Sequence, residues 1–123
     1  MILDTTKQRL EAAGRACGGW EYVEAAGGSE IAAVRQMAGP HPEDARLNLF
    51  AVEELPALAG SGAGPSRGKQ RLSRLLAVVK EVLTKPQGYA LLVPGGTVYV
   101  VLAAVRVNGG PGFAGVRFVP PVA

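Results

Sequence analysis

A single cysteine, Cys17, and a single histidine, His41, leave this 123-residue chain without the means for an internal disulfide framework or a cysteine-based zinc cluster. His41 stands between prolines in "GPHPED", where no second ligand or orienting group accompanies it, so we read it as a loop residue rather than half of a Cys–His catalytic pair. Aromatics are also scarce, at 6%. Acidic residues almost vanish after residue 56, where Glu81 stands alone. Long uninterrupted apolar runs are missing too. The most apolar stretch, "YALLVPGGTVYVVLAAVRV", is cut by Pro94-Gly95-Gly96 into pieces too short to span a bilayer as one helix. "MILDTTKQ" has no charged segment leading into an apolar one. We therefore expect a soluble, cytoplasmic, reduced protein with no membrane, no metal and no cofactor.

What is abundant is glycine, with 17, and proline, with 9, much of it in 60–68 and 108–115. The apolar share, 48%, suffices for a core, and the length suits one domain over 1–123. Charge is divided unevenly. Residues 1–56 hold five Lys or Arg against nine Asp or Glu, a net of −4, whereas 57–123 hold eight against one, a net of +7. Such a split can be neutralised inside one fold, between copies of the chain, or on an acidic partner, nucleic acid included.

Periodicity supplies the elements. Thr5, with Gln8 three residues on, opens a helix to about Cys17 whose inner face carries Leu10, Ala13 and Cys17; Gly18-Gly19 closes it. "WEYVEA" alternates as a strand with Trp20 and Tyr22 on one face and Val23 on the other. In "GGSEIAAVRQMAG" we prefer a short helix capped by Ser29, with Ile31, Val34 and Ala38 sharing a face, over a strand. "ARLNLFAV" reads as a strand. From Ser66 to about Thr84, Leu72, Leu75, Leu76, Val79, Val82 and Leu83 mark a long amphipathic helix, ended at Lys85-Pro86. "GYALLVP", "TVYVVLAAVRV" and "GFAGVRFVP" follow as three strands, the middle one apolar on both faces and therefore central. Pro120-Pro121 would guard an edge. The expected fold is α+β: a mainly antiparallel sheet of four to five strands against the long helix and the N-terminal helix.

Two motifs come close to named chemistry. "GSGAGPSRGKQR" imitates a phosphate-binding loop, but the residue five before Gly68 is Ala63, and Gln70 replaces the hydroxyl that would reach magnesium. We read 60–66 as a flexible linker into the helix. "PGFAGVRF" is similar to the base-stacking octapeptide of RNA-recognition-motif domains at Gly112, Phe113, Ala114, Val116 and Phe118. Pro111 and Gly115 depart from it, the latter where a stacking ring belongs, so we read an edge strand with Phe113 and Phe118 on opposite faces. The adjacent acids Glu43-Asp44 and Glu53-Glu54 point apart on any regular element and make poor acid–base dyads.

The candidate site is basic. Arg67, Lys69, Arg71 and Arg74 crowd a helix start, where the macrodipole already places positive charge, and Arg67, Arg71 and Arg74 share one face. An acidic protein surface or a nucleic-acid backbone would relieve them. The leading expectation is a small non-enzymatic binding module. The alternative is an assembly protein, phage- or secretion-complex-like, whose copies match acidic to basic surfaces. Trp20 and Tyr22 form a further candidate pocket or platform for a small molecule.

Overall fold

A computed structural model describes residues 4–39, 45–55, 67–93, 96–107 and 109–118. The order of elements is α1 (Asp4–Cys17), β1 (Trp20–Ala26), α2 (Glu30–Met37), β2 (Leu47–Phe50), a 3-10 turn (Val52–Glu54), α3 (Arg67–Val82), β3 (Gln87–Val93), β4 (Gly96–Val107) and β5 (Gly110–Phe118). The fold is α+β: one antiparallel sheet of five strands, in the order β1-β5-β4-β3-β2, and three α-helices among the described residues. The linker expected at 60–66, His41, the Glu43-Asp44 pair and Pro120-Pro121 lie outside the described residues.

The strand β4 sits at the centre because both of its faces are apolar. Val98, Val100, Val101, Leu102 and Ala103 are all buried, alternately toward the two sides of the sheet. β4 and β5 pair antiparallel from Val107 opposite Gly110, and Gly109 takes the left-handed backbone (φ +82°) that glycine adopts without strain.

The strand β5 is not the edge we expected. All seven residues of β1 pair with it, from Trp20 opposite Phe118 to Ala26 opposite Gly112, so β5 is enclosed between β1 and β4. Phe113 and Phe118 do face opposite sides of the sheet. Gly115 stands where an RNA-binding octapeptide would carry its ring. A Cβ there would come within 1.8 Å of the Val101 carbonyl oxygen, so the backbone of β4 already occupies that space.

One face of the sheet is covered by α1 and α3. Leu10, Trp20, Leu72, Leu75, Leu76, Val79 and Leu83 pack there on Val101, Ala103 and Val116. The helix α3 ends at Val82, and Lys85 adopts a positive φ of 50° before Pro86, which disfavours the helical region for its predecessor.

The other face is covered by α2. Ser29 caps it, accepting a hydrogen bond from the Ala32 amide at 3.3 Å. Its buried face differs from the expected one by a rotation of the helix. Ala33, Val34, Met37 and Ala38 go inside, and Ile31 is left 48% exposed. Met37 offers more apolar reach than the alternative stripe had, while Glu30 is drawn inward by the Tyr89 hydroxyl, which donates to its Oε2.

A candidate binding groove between two helices

The helices α1 and α3 lie antiparallel. Arg9 of α1 pairs with Glu81 near the end of α3 at 2.8 Å, while Cys17, the last residue of α1, lies beside Arg71 in the first turns of α3. Antiparallel packing brings the negative end of the α1 macrodipole to the basic start of α3. Part of the repulsion that burdens cations at a helix N-terminus is relieved by it.

Close approach at this end is set by small residues. Gly14 is buried against β1, where a Cβ would stand 2.6 Å from the Trp20 carbonyl oxygen, so α1 sits tightly on the sheet. On its other flank α1 presents Ala13, Ala16 and Cys17 to Leu75 and Val78 of α3. Alanine and cysteine fill too little of the space between the helices. A cavity of about 180 Å³ remains, open to solvent, with Arg71 and Arg74 completing its lining.

The cations of these two helices divide into two groups. Lys7 and Arg15 both approach Glu11 at 4.0 Å, Arg9 holds Glu81, and Lys80 holds Glu53 at 2.9 Å. Hydrogen bonding to these cations keeps the Glu81 and Glu53 carboxyls below their usual range. Arg71 and Arg74 are exposed and enter no ion pair among the described residues. Among the described side chains of α1 and α3, the two arginines without a carboxylate are the two that line the cavity. The side chains of Arg67 and Lys69 lie outside the described part of the structure.

Burial raises the Cys17 thiol above its ordinary range, an effect that nearby Arg71 opposes only in part. A thiol held in its protonated form is a weak nucleophile, so Cys17 acts here as apolar lining.

Trp20 and Tyr22 lie apart from this groove. Trp20 is 5% exposed and stacks at a tilt on Phe118, with ring centroids 5.6 Å apart, which makes it part of the core. Tyr22 is half-buried. Its hydroxyl donates to Glu24 Oε2 at 2.8 Å, and Lys7 Nζ lies 5.7 Å from its ring centroid. Burial, then the Glu24 hydrogen bond, pushes the Tyr22 hydroxyl well above its usual range. The two rings border a shallow hollow of about 240 Å³ with Glu11, Arg15 and Glu21.

No group of three or more His, Cys, Asp or Glu residues that could hold a metal ion occurs among the described residues. No helix among them is long and apolar enough to cross a membrane. Sequence reasoning singled out the arginines but missed Ala13, Ala16 and Cys17 as their neighbours. The available signal was a run of small residues at helical spacing on α1. Compared with known proteins, the chain matches no family model and no curated protein.

Proposed function

We propose that this chain is a small non-enzymatic binding module that engages an acidic partner, protein or nucleic acid, at the α1–α3 groove. Arg71 and Arg74 make the contact, and Arg67 and Lys69 extend the same basic helix start. The observation that carries this reading is the contrast among cations. On α1 and α3 Lys7, Arg9, Arg15 and Lys80 approach a carboxylate of the chain itself, whereas Arg71 and Arg74 edge an apolar cavity and meet none among the described residues.

On this reading residues 1–123 act as one α+β domain in the cytoplasm, with 60–66 as the linker into an amphipathic α3, and no cofactor is called for. Assembly through matched acidic and basic surfaces draws on the same charge split. It is the weaker alternative, because Lys80–Glu53 and Arg117–Glu21 already pair cations of residues 57–123 with carboxylates of residues 1–56 within the chain.

Chromatography on immobilised polyglutamate and on single-stranded DNA in a salt gradient provides the test. The protein is expected to be retained on at least one matrix at low salt, and Arg71→Glu/Arg74→Glu to elute at clearly lower salt. Flow-through on both matrices, or an unchanged elution of the double variant, overturns the proposal.

A further inference from the structure

We infer that the groove takes an acidic amphipathic helical peptide, which inserts one apolar side chain between α1 and α3 and sets carboxylates on Arg71 and Arg74. This inference rests on the function proposed above and narrows it to one class of partner. The lining is the first argument. Among the described lining residues, Ala13, Ala16, Cys17, Leu75 and Val78 offer a floor with no hydrogen-bonding side chain other than the weak thiol, and Arg71 and Arg74 supply the charge. A phosphate backbone uses the charge and leaves such a floor bare, whereas a peptide side chain buries it. Single-stranded nucleic acid would also look for exposed rings on which to stack its bases, and no aromatic is among the described residues that line the cavity.

Size is the second argument. A cavity of about 150 Å³ lined by apolar side chains accommodates benzene. The 180 Å³ here therefore matches one phenylalanine or leucine side chain rather than a whole cofactor.

Spacing is the third. Arg71 and Arg74 are three residues apart on α3 and so lie on neighbouring turns, about 5–6 Å apart at Cβ. A partner helix with an apolar residue at i and glutamates at i+4 and i+7 presents all three groups on one face, with the glutamates three residues apart like the arginines. Its carboxylates can then pair with guanidinium groups at matching separation.

A 16-residue helical peptide of alanine and glutamine, with Phe at its fifth position and Glu at its ninth and twelfth, is the probe. Its affinity is read by fluorescence anisotropy, alongside the rate at which iodoacetamide alkylates Cys17. Binding is expected to slow alkylation severalfold. Replacing the peptide's Phe with Ala is expected to weaken binding about tenfold or more, the scale of burying one large apolar side chain. Arg71→Glu/Arg74→Glu is expected to abolish binding. Ala16→Leu, a change at an exposed helical position that fills the cavity, is expected to weaken binding of the Phe peptide severalfold. Equal affinity for the Phe and Ala peptides, an unchanged Cys17 rate, or binding of single-stranded DNA without binding of the peptide overturns the inference. In those cases arginine-dependent retention leaves the broader function standing. Loss of retention on every polyanion removes both.

Discussion

The two faces of the sheet are closed by different means. On one, α1 and α3 lay Leu10, Leu72, Leu75, Leu76 and Val79 over Trp20, Val101 and Val116, and the ion pairs stay on the exposed outer surface. On the other, the eight-residue α2 brings only Ala33, Val34, Met37 and the following Ala38. A helix that short has little stability of its own. Side-chain hydrogen bonds fasten it: Tyr89 donates to Glu30, and Arg117 Nη1 donates to the Met37 carbonyl at 2.6 Å. Arg35 Nη2 ties the helix to the Ala45 carbonyl at 3.3 Å. Large apolar area holds one layer, and directed polar contacts compensate for its shortage in the other.

Truncating one residue on each face exposes that difference most strongly. Leu75 is 1% exposed and Val34 is fully buried. Leu75→Ala is expected to cost about 3 kcal/mol, and Val34→Ala about 2 kcal/mol, since fewer methyl groups are lost beneath a smaller helix. Urea denaturation measures both. A Val34 variant that costs more than the Leu75 variant breaks the contrast, because the α2 layer would then depend on apolar burial as heavily as its counterpart.

The fastening of α2 has its own signature, in pH. Burial, then the hydrogen bond to Glu30, pushes the Tyr89 hydroxyl up to about 12 from an ordinary value of 10. Below about pH 10 this tyrosine is protonated in folded and unfolded chains alike, and its bond contributes in full. Between about 10 and 12 the unfolded chain releases the proton first, so the folded state loses this contribution as pH rises. Tyr89→Phe is expected to cost about 1.5 kcal/mol at neutral pH, in the range for a hydrogen bond to a charged group. The gap between the parent protein and the variant should then shrink as the pH passes 10 and close above 12. A gap that stays constant to pH 12 would mean that the folded chain does not hold this proton more tightly, and no gap at neutral pH would mean that the hydroxyl contributes nothing to the attachment of α2.

What could be read in the sequence follows the same division. The heavy face was legible because leucines and valines at helical spacing are unambiguous, and β4 because a strand apolar on both sides has one place to go. The α2 face was partly hidden. Its two possible stripes differ by small residues, and the choice between them depends on Glu30 meeting Tyr89, 59 residues away. The interior position of β5 was equally unreadable. Its partner β1 lies near the opposite end of the chain, and the alternation of Phe113 and Phe118 is the same for an edge strand as for an enclosed one. At the candidate groove, sequence could collect Arg71 and Arg74 on one helix face. The small residues Ala13, Ala16 and Cys17 could be read at helical spacing on α1, but only the antiparallel packing of α1 places them beside the arginines.

The smallest expected effect lies where the lighter layer leaves apolar surface uncovered. Ile31, on the outer side of α2, is 48% exposed, and Leu49, on the edge strand β2, is 64% exposed. Leu49 pairs with Tyr89 on one side only, so its side chain gives up little contact when shortened. Leu49→Ser and Ile31→Ser are each expected to change stability by less than about 0.5 kcal/mol, as surface substitutions do. The measurement should be made at two protein concentrations at least fiftyfold apart. A loss above about 1 kcal/mol that appears only at the higher concentration would mean that a second copy covers this face, since stability gained by association rises with concentration. An equal loss at both concentrations would place these side chains in the monomer's own core. A negligible change at both leaves the α2 layer as drawn: a short helix held by hydrogen bonds, bordered by apolar groups that fold stability does not use.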